Sequence, residues 1–231
     1  MLTLPVAAKY HNKPQQYAAD GRRTPSTLRL RLHSKVAAVL SVMHREEMVQ
    51  ICETERLLIR QLSLGDVPAL TEILSDPEVM KHSVRGVCDE VATREFIEWC
   101  MACYDSYGLG PWALIDKESS VFIGFCGVSP EIVAGVEEPN LGYRLATNFW
   151  NKGLASESAK GILGYVFEQT QYQSVVVIIE PEHVASLKVA EKAGFSSFDT
   201  LEFHNRPVRL YRLTRQKWDT LHNKAMHATS A

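Results

Sequence analysis

Two stretches of this chain carry residue types whose spacing could do chemistry. From Trp150 to Glu157 it reads Trp-Asn-Lys-Gly-Leu-Ala-Ser-Glu, and from Ser186 to Phe195 it reads Ser-Leu-Lys-Val-Ala-Glu-Lys-Ala-Gly-Phe. The first stretch has the makings of an anion site. Gly153 and Ala155 are small enough to let a ligand reach the backbone where a helix begins. The unpaired N–H groups of a first helical turn, together with the positive end of the helix dipole, favour a phosphate or pyrophosphate there. Lys152 adds a positive charge at the mouth, and Asn151 is a residue type that enters left-handed backbone readily. The glycine spacing of a Walker loop or a dinucleotide fingerprint is absent, so the residues alone imply a phosphate-bearing ligand and nothing narrower.

These residues need elements to hold them. Hydrophobic periodicity predicts strands over Arg56 to Leu62, Pro111 to Ile115, Val121 to Val128 and Leu141 to Ala146, the last leading into the anion loop. Helices are expected over Asp66 to Leu74, Glu90 to Tyr104 and Gly153 to Glu168. Val175 to Ile179 is a continuous β-branched run, the pattern of a strand buried on both faces. A helix from Val184 to Lys192 ends before Gly194, and two strands near Phe198 to Phe203 and Val208 to Leu213 close the order. A strand–helix–strand unit at the centre makes this a mixed α/β sheet flanked by helices, in a single domain.

Composition narrows the class. The 231 residues are 45% hydrophobic, enough for one substantial core, and no run reaches the length of a membrane span. The net charge of −2 hides an asymmetry: residues 1–48 hold eight Lys or Arg against three acids, about +5, and the remainder 17 against 24, about −7. An acidic domain suits a cationic substrate such as an amine and argues against a nucleic-acid partner; a solvated acidic surface explains it equally well. Residues 1–48 are expected to be a disordered basic extension. An upstream start before Met43 or Met48 accounts for it, and a transit peptide is the other reading. The domain is placed at 49–220, with a frayed polar tail at 221–231. Cys100-Met101-Ala102-Cys103 is a lone C-x2-C without a second pair, and the eight histidines show no ligand spacing, so no metal is expected. Five scattered cysteines fit a reducing cytoplasm.

Taken together, Trp-x-Lys-Gly-x-Ala-x-Glu and the later Ala-Ser-x-x-x-x-Glu-Lys-x-Gly-Phe resemble the GNAT superfamily of acetyl-CoA-dependent N-acetyltransferases, and within it the ribosomal-protein N-terminal alanine and serine acetyltransferases. Thr54 to Arg60 resembles that branch's opening strand, Leu141 to Leu145 its central one, and the likeness spans Thr54 to Trp218. The resemblance implies a mostly antiparallel central sheet. It implies acetyl-CoA as cosubstrate, with the pantetheine arm beside Tyr143 and Leu145, a backbone N–H near Leu145 facing the thioester oxygen, and the pyrophosphate on Trp150, Asn151, Lys152, Gly153, Leu154 and Ala155. Trp150 is as readily explained by packing, and Glu157 by stabilising a first helical turn. His183 stands where many relatives carry asparagine, and is expected to contact the cofactor or to add a titratable group. Ser186 inherits the role of thiolate protonator, with helix capping as the competing reading. The superfamily's tyrosine acid is replaced by Ala190 and its central-strand glutamate by Asn140, which leaves Glu138 as the candidate base, provided the strand extends that far.

The resemblance thus implies an acyltransferase that moves acetyl to a primary amine by direct attack. The acceptor is a protein N-terminus or a small-molecule amine, and the protein is a monomer or homodimer without membrane or nucleic-acid partners. The pocket for it is expected from the Glu78–Arg85 loop, the Glu90–Tyr104 helix and the final hairpin. The two missing ionisable groups leave a non-catalytic acyl-CoA-binding module as the alternative.

Overall fold

The computed structural model describes residues 49–228, with side chains as far as Leu221. The basic segment 1–48 and the end of the tail, 229–231, lie outside the described residues. Eight strands form one sheet: β1 (Gln50–Glu53), β2 (Leu57–Gln61), β3 (Pro111–Asp116), β4 (Phe122–Val133), β5 (Val136–Leu145), β6 (Ser174–Ile179), β7 (Phe198–Phe203) and β8 (Arg206–Thr214). Their spatial order is β1-β2-β3-β4-β5-β6-β8-β7. Every neighbouring pair is antiparallel except β5 with β6. The mixed, mostly antiparallel sheet expected from the sequence is therefore observed.

Among the described residues six helices cover it: α1 (Val67–Leu74), α2 (Pro77–Met80), α3 (Glu90–Tyr107), α4 (Leu154–Gln169), α5 (Val184–Lys192) and α6 (Arg215–Ala228). In α4, Ala159, Ile162, Leu163, Val166 and Phe167 follow helical spacing and pack with Leu57, Ile59, Trp112, Leu114 and Leu141. On the opposite face Leu70 and Leu74 of α1 and Phe96, Ile97 and Cys100 of α3 pack with Leu62, Ala113 and Phe125. Strand alternation divides β6 between the two sides, with Val175, Val177 and Ile179 in the α4 core and Val176 and Ile178 in a smaller cluster with Val133 and Val208.

Several elements differ from expectation. β4 and β5 extend beyond the strands expected over Val121 to Val128 and Leu141 to Ala146, and each takes in a proline, Pro130 and Pro139. In the sheet the two prolines face each other, and because the hairpin has there passed the end of β3 at Pro111↔Gly127, no third strand asks for the missing N–H of Pro130. Ala134 (φ 50°) and Gly135 (φ 83°) make the turn, both central residues at positive φ as a tight hairpin needs. β1 was not foreseen. α3 runs to Tyr107, closed by Gly108 at φ 66°, and α6 carries helical backbone past the boundary placed at 220. Its anchor is Trp218, whose ring lies 5.6 Å from that of Phe167.

Cys100 and Cys103 are both buried on α3, and burial raises both thiols, Cys103 to about 11. Among the described residues no group of three His, Cys, Asp or Glu could hold a metal ion, and no helix is long and apolar enough to cross a membrane.

Candidate active site

β5 and β6 run parallel and pair through Asn140 and Val176, after which β5 continues to Leu145 and β6 to Ile179. Beyond that pair the strands fork. A cavity of about 550 Å³ opens between their C-terminal ends, lined by Tyr143, Arg144 and Leu145 on one side and Ile179 and Glu180 on the other. That volume suits a small-molecule ligand. Ala146 donates its N–H to Ile123 of β4 at 2.9 Å. Strand alternation then turns the N–H and C=O of Leu145 away from β4, toward the fork. The carbonyl accepts from the Trp150 indole N–H at 2.7 Å. Trp150 thus braces the end of β5 while its ring lines the cavity.

The anion loop closes one end. Asn151 (φ 58°) and Gly153 (φ 81°) both take left-handed backbone, and Gly153 caps α4 without a side-chain hydrogen bond. Asn151, Gly153, Leu154, Ala155 and Ser156 all line the cavity, so the first-turn N–H groups of a sixteen-residue helix border it. Lys152 does not line it: its ammonium lies 5.1 Å from the centre of the Phe149 ring, and its carbonyl accepts from Arg56. Positive charge on the cavity wall comes instead from Lys81, Arg144, Lys188 and Lys192, the last two one turn apart on α5. Glu157 is fully engaged, accepting from the Thr54 hydroxyl (2.6 Å), the Arg56 N–H (2.8 Å) and the Arg56 Nε (2.7 Å). Burial raises its carboxyl, but these donors outweigh burial and hold it below its ordinary value. Its role in the fold is to fasten the β1–β2 turn to the start of α4.

The start of α5 forms the facing wall. His183 is its N-cap, and Nδ1 accepts the Ser186 N–H at 3.0 Å. A neutral ring with Nδ1 as acceptor carries its proton on Nε2, and Nε2 lies 3.5 Å from the Ser186 hydroxyl oxygen. Burial, then the charge of His82, push His183 down to about 4, so the ring is neutral near pH 7. The capping is therefore done by His183 rather than by Ser186. Tyr143 donates its hydroxyl to the Ser186 carbonyl at 3.3 Å, tying β5 to this turn. Burial raises its phenol above the ordinary range, with the Ser186 bond opposing.

Nearer the sheet's other face, His82 and Glu180 join the lining. His82 Nδ1 lies 2.9 Å from a Glu180 carboxylate oxygen, and the other oxygen accepts from Arg206 at 2.7 Å. The His82 and His183 ring centres are 4.0 Å apart. Asn140 is wholly buried at the fork, its amide nitrogen and oxygen without hydrogen-bond partners among the described residues. Glu138 is on β5, which extends far enough to include it, but it is not among the lining residues. Arg212 grips both its oxygens, at 2.8 and 2.6 Å, and this bonding holds the carboxyl below its ordinary value.

The structure therefore gathers Tyr143, Leu145, Trp150, Asn151, Gly153, Leu154, Ala155, His183 and Ser186 around one cavity, and leaves Lys152 and Glu138 outside its lining. Of the expected acceptor segments, Glu78, Val79, Lys81 and His82 reach the lining, while α3 and the β7–β8 hairpin do not. His82 and Glu180 were missed by sequence reasoning, because 98 residues separate them and no local spacing marks the pair.

A family model described as an acetyltransferase (GNAT) domain matches residues 56–196. The uncharacterised protein YkkB of Bacillus subtilis (strain 168) is 32% identical over 159 residues, covering 68% of this chain and 92% of its own. A solved GNAT-family acetyltransferase from Bacillus anthracis is 26% identical with a TM-score of 0.61, covering 71% of this chain and 98% of that one. RimL, a ribosomal L7/L12 α-N-protein acetyltransferase solved with coenzyme A, has a TM-score of 0.61 at 17% identity, over 71% and 97% of the two chains; that is a likeness of fold.

Proposed function

The chain belongs to the GNAT acetyltransferase family, as an acyltransferase with acetyl-CoA as cosubstrate, and on that premise we propose that it passes the acetyl group to a primary amine by direct attack. The observation that carries the reading is the fork between β5 and β6, with Leu145 at its edge and Ser186 on its opposite wall. Strand-like pairing of a pantetheine arm with the free edge of β5 would extend the sheet, and the Leu145 N–H would face the oxygen on which negative charge develops. The N–H groups of Gly153 to Ala155 and the ammonium groups of Lys188 and Lys192 supply the positive potential that phosphates need.

The amine nitrogen forms a bond to the thioester carbon, the carbon–sulfur bond breaks, and the sulfur leaves as a thiolate that needs a proton. Ser186 is assigned as the donor. Its hydroxyl oxygen sits next to the His183 Nε2–H, which favours turning the hydroxyl proton away from the ring, and that orientation supports donation to sulfur. Holding both reactants in one cavity supplies a large part of the rate. Glu78, Glu180 and Glu182 on the lining support an acceptor that arrives as a cation. The motif resemblance to the ribosomal-protein branch supports a protein α-amine, and a small amine remains within the same chemistry.

The test is free-thiol release from acetyl-CoA with a mixed panel of peptides, polyamines and aminoglycosides. Turnover that falls about 100-fold or more in Ser186→Ala, with acetyl-CoA affinity unchanged, is the expected result. Tight binding of acetyl-CoA with no turnover on any amine would favour a binding module of the same fold, and no binding would remove the reading altogether.

A further inference from the structure

The reaction needs a second proton transfer, from the attacking nitrogen, and the central-strand position at which the superfamily resemblance expects a glutamate holds Asn140. An amide cannot titrate. Glu138 has both oxygens on Arg212 and does not line the cavity. Glu180 lines it, but His82 and Arg206 occupy its two oxygens. Burial raises the Glu180 carboxyl, and these bonds more than reverse that, leaving a weak proton acceptor. His183 uses Nδ1 to take the Ser186 N–H, so its other nitrogen is a donor.

His82 differs from all of these. A carboxylate 2.9 Å from Nδ1 selects the tautomer with the proton on that nitrogen, and the lone pair is then on Nε2. Nε2 makes no hydrogen bond among the described residues, and the side chain lines the cavity. Glu180 itself is held by Arg206, so imidazole, carboxylate and guanidinium form a line that fixes the ring from behind. The ring also touches that of His183, the partner of Ser186, with centres 4.0 Å apart. A proton acceptor for the nitrogen and a proton donor for the sulfur must flank the same carbon, and this contact brings the two groups together.

Resting on the acetyl-transfer reading above, we propose that His82 is the catalytic residue that takes the proton from the acceptor amine, with Glu180 as its positioning residue. The neutral amine attacks, the nitrogen becomes positively charged and acidic, and its proton moves to His82 Nε2. Ser186 gives its proton to the departing thiolate. His82 then releases its proton to solvent and Ser186 takes one back, so counted from the neutral amine no proton is gained or lost; an acceptor that arrives as a cation gives its ammonium proton to solvent before the attack. The charged and titratable groups facing His82 are Glu180 and, through it, Arg206; His183 from α5; Arg144 from β5; and Lys81 and Glu78 beside it in the chain.

The test measures kcat/KM for an amine against pH in the wild type, His82→Gln and Glu180→Gln, with acetyl-CoA affinity by calorimetry alongside. The expected result is a bend at the imidazole's titration in the wild type and loss of that bend in His82→Gln. The variant's rate should fall by about 10²- to 10⁴-fold with donor affinity retained. In Glu180→Gln the rate should also fall with donor affinity retained, because the carboxylate that orients the ring is gone. A purely structural role would lower the rate without moving the bend. Nitrogen-15 spectra of the His82 ring give a readout without turnover: a neutral ring protonated at Nδ1 is expected, and protonation at Nε2 would overturn the proposal. Full activity with an unchanged bend in His82→Gln would overturn it as well. A wild type that binds acetyl-CoA but acetylates no amine instead overturns the transfer reading, which separates the two failures.

Discussion

His183 does two jobs that pull in one direction. As N-cap it must keep Nδ1 free of a proton to accept the Ser186 N–H, and burial pushes its pKa from 6.5 to about 4. The folded state therefore refuses a proton that the unfolded chain accepts. Its contribution to stability is fully present above about pH 6.5, and is lost as pH falls through the folded value near 4. His183→Asn keeps a side-chain oxygen able to cap and removes the titration. Urea midpoints of the wild type should drop more steeply than those of His183→Asn between about pH 7 and pH 4.5. Equal slopes in the two proteins would mean that the ring is not held neutral.

At the scale of elements, the end of β5 depends on what lies behind it. Gly124 of β4 pairs with Leu145 and has φ 140°; a Cβ there would sit 2.1 Å from the Arg144 carbonyl oxygen and 2.8 Å from the Leu145 Cα. Both contacts are backbone, so neither can swing aside. Gly124→Ala should cost about 1–3 kcal/mol in urea unfolding and weaken acetyl-CoA binding measurably in calorimetry, because the β5 edge proposed to receive the donor must move. Legibility in the sequence follows the same division between local and distant. The anion loop and α5 could be read because each is a contiguous run whose small residues and caps act on neighbours. The β-branched run of β6 was equally plain, since burial on both faces needs no partner to recognise. β4 and β5 were read short, and each takes in a proline, which looks like a breaker until its pairing is known. Neither His82–Glu180 nor Arg56–Glu157 could be read, because each is made by a fold that brings together residues about a hundred apart.

Across the whole molecule, the sheet is two antiparallel blocks, β1 to β5 and β6 with β8 and β7, joined in the ladder at Asn140 and Val176. The α4 core crosses the joint through Leu141, Val175 and Val177, so packing holds what backbone bonding does not. A ligand that pairs along the free edge of β5 should stabilise the folded state by about 2.7 kcal/mol at a concentration 100 times its Kd. Amide exchange should slow most at the fork-facing ends of β5 and β6, with β2 to β4 little changed; uniform slowing would argue against a ligand lodged in the fork. The joint also divides the chemistry. Leu145 stands on one block, while Glu180, His183 and Ser186 stand on the other. On the proposed reading the fork works like a calliper: a donor long enough to touch both walls should stabilise both blocks, and a fragment that reaches one wall should stabilise the fold less.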